Sequence, residues 1–303
     1  MTSSSPPTLP LADGTMSIGS FTDPIVVDPD PSLLAALAAA YRDAAPEAVN
    51  PDLDALRDAA RGDEAPLSPA ADLPRLTVLA RDHVVDAITD PFYSASQLAA
   101  LTEAGVWDLR TLAAPQPNAV LAGRSDGCVV IAASSGRDGD GASESPTDRG
   151  PWCRISADPT LRDRYVDLVA DAEAVRIRTP SRHRLYGALR DRCGSEVADE
   201  TVRLLDAGND PLDRGAARVR AYAAGARRAA LDRDLRRACE DAGLGSSATF
   251  TRIKRDLVEA GLLGTESVSQ PVGRPRQRLV ARGALADASS PAAALAALRK
   301  KGL

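Results

Sequence analysis

The chain has 303 residues, enough for two domains that each bury a core, and it is 44% apolar but only 3% aromatic, so alanine, valine and leucine must do most of the packing. No run approaches the roughly 20 uninterrupted apolar residues of a membrane helix, and the first residues lack a basic stretch leading into an apolar one, which predicts a cytoplasmic protein with no membrane partner. The formal net charge of −5 hides an asymmetry: residues 211–282 carry 15 Lys+Arg against 8 Asp+Glu, while 1–210 carry 19 against 33, the pattern of a basic DNA-binding module joined to an acidic domain that avoids DNA.

Residues 1–20, rich in Ser, Pro and Thr without a period, are expected to be disordered. Ile25-Val26-Val27 then reads as a short strand, and Leu33, Leu34, Leu37 and Tyr41 recur at helical spacing over 31–43. Asp28, at the strand end, suits a helix N-cap better than a ligand contact. A second strand at Leu76-Thr77-Val78-Leu79 precedes helices near 83–89 and 91–104, with Gly105 as C-cap. A third strand covers 107–112, a hairpin pairs 119–121 with 128–132, and a last strand lies near 152–155. The Gly/Ser/Asp stretch 134–150 reads as a disordered insert, and a helix is expected over 159–174. Alternating strands and helices predict an α/β regulatory or sensor domain over 21–174, Rossmann-like or layered, with a place for a small-molecule effector.

Helical patterns over 181–192 and 195–205 make 175–210 a helical connector and a candidate dimer contact, ended by the turn Gly208-Asn209-Asp210-Pro211. Residues 211–282 follow a different logic. A helix over 214–230 carries Ala216, Val219, Ala223 and Ala226 on one face, and a second helix over 231–242 turns Leu235 and Ala238 inward. Gly243-Leu244-Gly245 breaks the chain, and Ser246-Ser247 supplies an N-cap for a third helix to about 260. There Phe250, Ile253 and Leu257 share one side, leaving Ala248, Thr251, Arg252, Arg255 and Glu259 opposite. Ser247, Thr249, Thr251, Arg252, Lys254 and Arg255 are the candidate DNA contacts, since arginine pairs with guanine and threonine touches a base edge or methyl. Extended arms over 265–281 flank Gly273-Arg274-Pro275-Arg276-Gln277-Arg278, a basic tip in the position of a wing, where Arg274, Arg276 and Arg278 offer phosphate or minor-groove contacts. Residues 283–303 are left as a C-terminal tail. Taken singly, each piece fits a solvated surface; their succession predicts a C-terminal winged helix-turn-helix.

The run Ser247-Ala248-Thr249-Phe250-Thr251-Arg252-Ile253-Lys254-Arg255, continued by Leu257-Val258-Glu259-Ala260-Gly261-Leu262-Leu263 and Val272-Gly273-Arg274-Pro275-Arg276, resembles the haloarchaeal transcription regulators of the TbsP type. That resemblance implies a winged helix on promoter DNA, an N-terminal α/β regulatory domain and targets in carbon metabolism. The alanine-rich helix over 214–230 and the insert at 134–150 depart from it.

Catalytic signals are sparse. There is no dinucleotide fingerprint or P-loop, and Gly123-Arg124-Ser125-Asp126-Gly127 has the letters of a nucleophile elbow but the composition of a hairpin turn. Cys128, Cys153, Cys193 and Cys239 are far apart and His83 and His183 stand alone, which predicts isolated thiols and no metal or cofactor. The expected function is a homodimeric, promoter-binding transcription regulator; a winged helix that contacts protein, or an enzyme on the N-terminal domain, are the alternatives.

Overall fold

The computed structural model describes residues 6–62, 67, 70, 72–132, 152–155, 157–208, 212–269 and 275–303. In chain order the first elements are β1 (Thr8–Leu11), β2 (Gly14–Ser17), β3 (Ile25–Val27), α1 (Pro31–Ala44), α2 (Pro46–Val49), α3 (Leu53–Arg61), β4 (Leu76–Ala80), α4 (Asp82–Thr89) and α5 (Phe92–Glu103). They are followed by β5 (Trp107–Thr111), β6 (Ala119–Ala122), β7 (Gly127–Ala132), β8 (Trp152–Ile155) and α6 (Val166–Asp171). The chain divides into two compact units, one made of 1–50, 67–89 and 100–176, the other of 51–66, 90–99 and 177–303.

The first unit is built on a mixed sheet of eight strands in the order β2-β1-β8-β7-β6-β3-β4-β5. β3, β4 and β5 run parallel, β1 and β8 are parallel, and the other pairs are antiparallel. All three residues of β3 are buried, as a strand covered on both faces requires. α1 starts where Asp30 accepts from the amides of Ser32 at 2.8 Å and Leu33 at 2.9 Å, with Pro31 in the first turn. Its Leu33, Leu34, Leu37 and Tyr41 are buried, and Tyr41 meets Trp107 edge-on at 5.4 Å.

Three details differ from the sequence-based expectation. Residues 8–17 form the antiparallel pair β1–β2, and Leu9, Met16 and Ile18 are buried, so a few apolar side chains order a segment whose polar composition suggested disorder. Asp28 does not cap α1: with a left-handed φ of 50°, its buried carboxylate accepts from Arg81 Nε and from the Gln116 amide, both at 2.7 Å, and so fastens two loops. Over 159–174 the chain forms a 3₁₀ turn, Leu161–Tyr165, before α6. The Gly123-to-Gly127 segment joins two antiparallel strands, with Gly123 N donating to Asp126 O at 2.7 Å, whereas a nucleophile elbow joins a strand to a helix. The 134–150 insert lies outside the described residues.

The second unit continues with α7 (Arg182–Cys193), α8 (Ser195–Leu205), α9 (Arg214–Arg227), α10 (Asp232–Ala242), α11 (Ser247–Glu259), β9 (Leu263–Val268), β10 (Arg276–Ala281), α12 (Gly283–Ala286) and α13 (Pro291–Arg299). One apolar core runs through it. Leu185, Leu189, Val197, Val202 and Leu205 from α7 and α8 pack with Ala217, Ala221 and Ala224 of α9, and Leu285, Ala294 and Leu298 of α12 and α13 join them. Residues 181–205 and 283–299 are therefore part of this core. The alanines of α9 explain why: small side chains let neighbouring helices approach closely, and leucines from outside the helix-turn-helix supply the missing volume.

Close approach is most exacting at Gly225, where an added Cβ would run into Leu235 Cδ2. Alanine there would gain about 1 kcal/mol of helix propensity, but overpacking costs about 1–3 kcal/mol. Gly225→Ala is expected to lower stability in urea unfolding by about 1 kcal/mol; a raised Tm would mean that Leu235 swings aside freely. Nearby, the buried Arg220 donates through Nη1 to the carbonyls of Leu204 and Leu205, both at 3.0 Å, and of Ala207 at 2.9 Å, placing a cation on the C-terminus of α8.

Candidate nucleic-acid interface

α10 opens with Asp232 and Asp234 in its first turn, where acidic side chains suit the positive end of the helix. It ends at Gly243, whose φ of 87° is the left-handed value that glycine adopts without strain. Gly243 N donates to Glu240 O and Leu244 N to Cys239 O, both at 2.9 Å, satisfying the last carbonyls. Leu244 is buried, which sets the depth of the turn. At Gly245 a Cβ would meet Arg218 Nε and Phe250 Cε2, each at 3.1 Å, so glycine admits both side chains. α11 then begins with Ser246 as its cap, Oγ accepting from Thr249 N at 3.3 Å.

Phe250, Ile253 and Leu257 are buried, and Phe250 stacks on Tyr222 of α9 with centroids 5.9 Å apart. On the outer face Ser247, Ala248, Thr251, Arg252 and Arg255 are exposed. The Thr251 hydroxyl donates to Ser247 O at 2.9 Å, and that of Thr249 pairs with Ser246 Oγ at 3.0 Å. Arg255, with 65% of its side chain exposed, lies 3.6 Å from Asp256 and 3.8 Å from Glu259, too loosely held to fix its head. Arg252 is exposed and makes no ion pair among the described residues.

Lys254 is placed differently. Its Nζ lies 3.0 Å from Asp232 Oδ2, an oxygen that Arg236 also reaches at 3.2 Å, while the Tyr222 hydroxyl donates to Oδ1. Burial, then Asp232, raises the Tyr222 pKa, so this hydroxyl stays a donor. Asp232 thus ties α9, α10 and α11 together. Sequence reading missed it, because an aspartate in a first helical turn looks like any other; its partners stand 10 to 22 residues away, apart from Arg236.

β9 and β10 pair antiparallel from Arg276↔Val268 to Ala281↔Leu263. A bridge between Leu231 and Arg278, with Leu279 N donating to Ala230 O at 2.9 Å, adds the connection between α9 and α10 as a third partner. Arg278 is exposed, and Arg276 lies 3.5 Å from Asp234. Arg274 falls within 270–274, outside the described residues.

Helix, left-handed glycine turn and capped helix with an exposed cationic face define a helix-turn-helix domain. Residues 181–299 match the family described as transcriptional regulator TbsP-like, C-terminal HTH domain. The matched span runs from the N-cap of α7 to the last residue of α13, and so takes in the helices that complete the α9 core. Neither a curated protein nor a solved structure matches the chain. Among the described residues no helix is long and apolar enough to cross a membrane, and no group of three or more His, Cys, Asp or Glu is placed to hold a metal.

Proposed function

We propose that this chain is a transcription regulator that binds double-stranded promoter DNA as a homodimer, with α11 in the major groove and β9–β10 as a wing on the backbone. The outer face of α11 carries this reading: Ser247, Thr251, Arg252 and Arg255 stand exposed along a helix whose start is fixed by a rigid turn. Arg276 and Arg278 suit phosphate contacts, and Arg274, outside the described residues, is proposed from the sequence as a third. Lys254, engaged by Asp232, serves the framework, and Thr249 serves the cap.

The sheet unit, residues 1–50, 67–89 and 100–176, carries 11 Lys+Arg against 21 Asp+Glu, which leaves DNA to the other unit and suits this one to sensing a small-molecule effector. A catalytic role for Cys128, Cys193 and Cys239 is disfavoured. Burial raises Cys128 and Cys239 and pushes Cys193 up to about 11, so all three stay protonated at neutral pH.

Binding of the full chain to fluorescent duplexes, one selected from a random pool and one random, tests the proposal. The selected duplex should bind at least about a thousandfold more tightly, and both affinities should fall steeply with salt. Unchanged anisotropy at every salt concentration would instead assign the helix to a protein partner. Light scattering with a duplex that carries two half-sites should give two protein chains per duplex; one chain only, both free and with DNA, would remove the dimer.

A further inference from the structure

We infer that Arg214 and Arg218, backed by the charge of Arg252, form an anion site that takes a DNA backbone phosphate beside the helix-turn-helix turn, at the opposite end of α9 from the wing. The phosphate's source rests on the DNA-binding reading above; the anion site itself does not.

Arg214 and Arg218 are four residues apart on α9 and therefore share a face. Arg218 lies over Gly245 and donates from Nε to Leu244 O at 2.6 Å. Arg214 donates from Nε to Thr179 Oγ1 at 3.1 Å. Both guanidiniums are thus aimed by neutral acceptors. Three other arginines of this unit face carboxylates, Arg57 with Asp199, Arg182 with Asp206 and Arg227 with Glu200, while Arg220 is taken up by the carbonyls at the end of α8.

Burial, followed by the nearby charges of Arg214 and Arg252, lowers the Arg218 pKa, the direction expected of like charges gathered with too little compensation. Asp213 opposes that effect, but one of its oxygens caps α9, accepting from Ala216 N at 2.7 Å. A cluster of guanidiniums held in place before any anion arrives is preorganised for a phosphate, whose oxygens match the fork of N–H donors. Its place fits the groove. At about 1.5 Å per residue, Arg218 stands roughly 15 Å along α9 from the end where the wing sheet attaches, comparable with the major-groove width of about 12 Å.

The test uses the full chain, Arg214→Ala, Arg218→Gln and, as control, Arg192→Ala, an exposed arginine paired with Asp241. On a random duplex each site variant should lower the slope of log affinity against log salt by about 0.9, with affinity at 0.1 M salt falling roughly tenfold. A second arm reads the Tm of the free protein in sodium phosphate and in sodium chloride at equal ionic strength. Wild type and Arg192→Ala should gain from phosphate, and the site variants should lose that gain. Lowered slopes without a phosphate gain would assign the site to backbone phosphate alone. A phosphate gain lost in the variants of a protein that binds no duplex would keep the anion site and overturn the DNA reading. Unchanged slopes together with an unchanged phosphate response would overturn the site, whatever the wild type does with DNA.

Discussion

Replacing Glu200 with alanine is expected to lower stability by about 3–5 kcal/mol, the cost of breaking a buried ion pair from one side. Its side chain is 2% exposed, with Arg227 Nε at 2.6 Å, Arg228 Nη2 at 2.8 Å and Arg203 at 3.9 Å. Arg227 decides the size of the effect. It is 13% exposed and also donates to the carbonyls of Leu285 and Ala288, so it cannot swing into water when the carboxylate goes. Arg203 and Arg228 are more exposed, turn outward and cost little. Urea unfolding at pH 7 measures the change, and a loss below about 1 kcal/mol would mean that Arg227 finds water after all.

The same pair sets an acid limb. Burial raises the Glu200 pKa, but the guanidiniums of Arg227 and Arg228 outweigh it, and the carboxyl is held below its ordinary 4.5. A group depressed in the folded state contributes stability that is fully present above 4.5 and lost as pH falls through the lower folded value. The alanine variant should lack that component.

The second large effect is on DNA. Arg252→Ala should cost roughly 1–3 kcal/mol on the selected duplex and far less on a random one, because a base contact specifies whereas a phosphate contact only positions. Arg276→Ala should weaken both duplexes by similar factors and lower the salt slope by about one unit. Titrating both variants on both duplexes at two salt concentrations separates them. Equal losses for Arg252→Ala would move Arg252 from base reader to neighbour of the phosphate.

Local rules carried the helix-turn-helix itself. The 3.6-residue period exposed Phe250, Ile253 and Leu257 as core, Gly243 marked the turn, and Ser246 marked the cap. Long-range packing was out of reach. On α9 the expected inward face included Ala216 and Val219, which are half-buried, whereas Ala217, Ala221 and Ala224 are fully buried. A helix of alanines has too little contrast between its faces for periodicity to choose one. Residues 283–303 escaped for a similar reason, since the run of alanines around Leu295 and Leu298 looks unremarkable until its partners in α8 are known. Nothing in the local sequence singles out Glu200 or Asp232, and only their arginine, lysine and tyrosine partners reveal them as tie points.

The helix-turn-helix unit is not one stretch of chain. Arg57 of α3 reaches Asp199 at 2.5 Å, the Tyr93 hydroxyl donates to Leu205 O at 2.7 Å, and Phe92 is fully buried in its core, yet all three residues precede position 100. A chimera joined at 176/177 would therefore leave behind a charged partner, a capping hydroxyl and the volume of a phenyl ring. A single crossover at that point would carry the helix-turn-helix away without part of its own core.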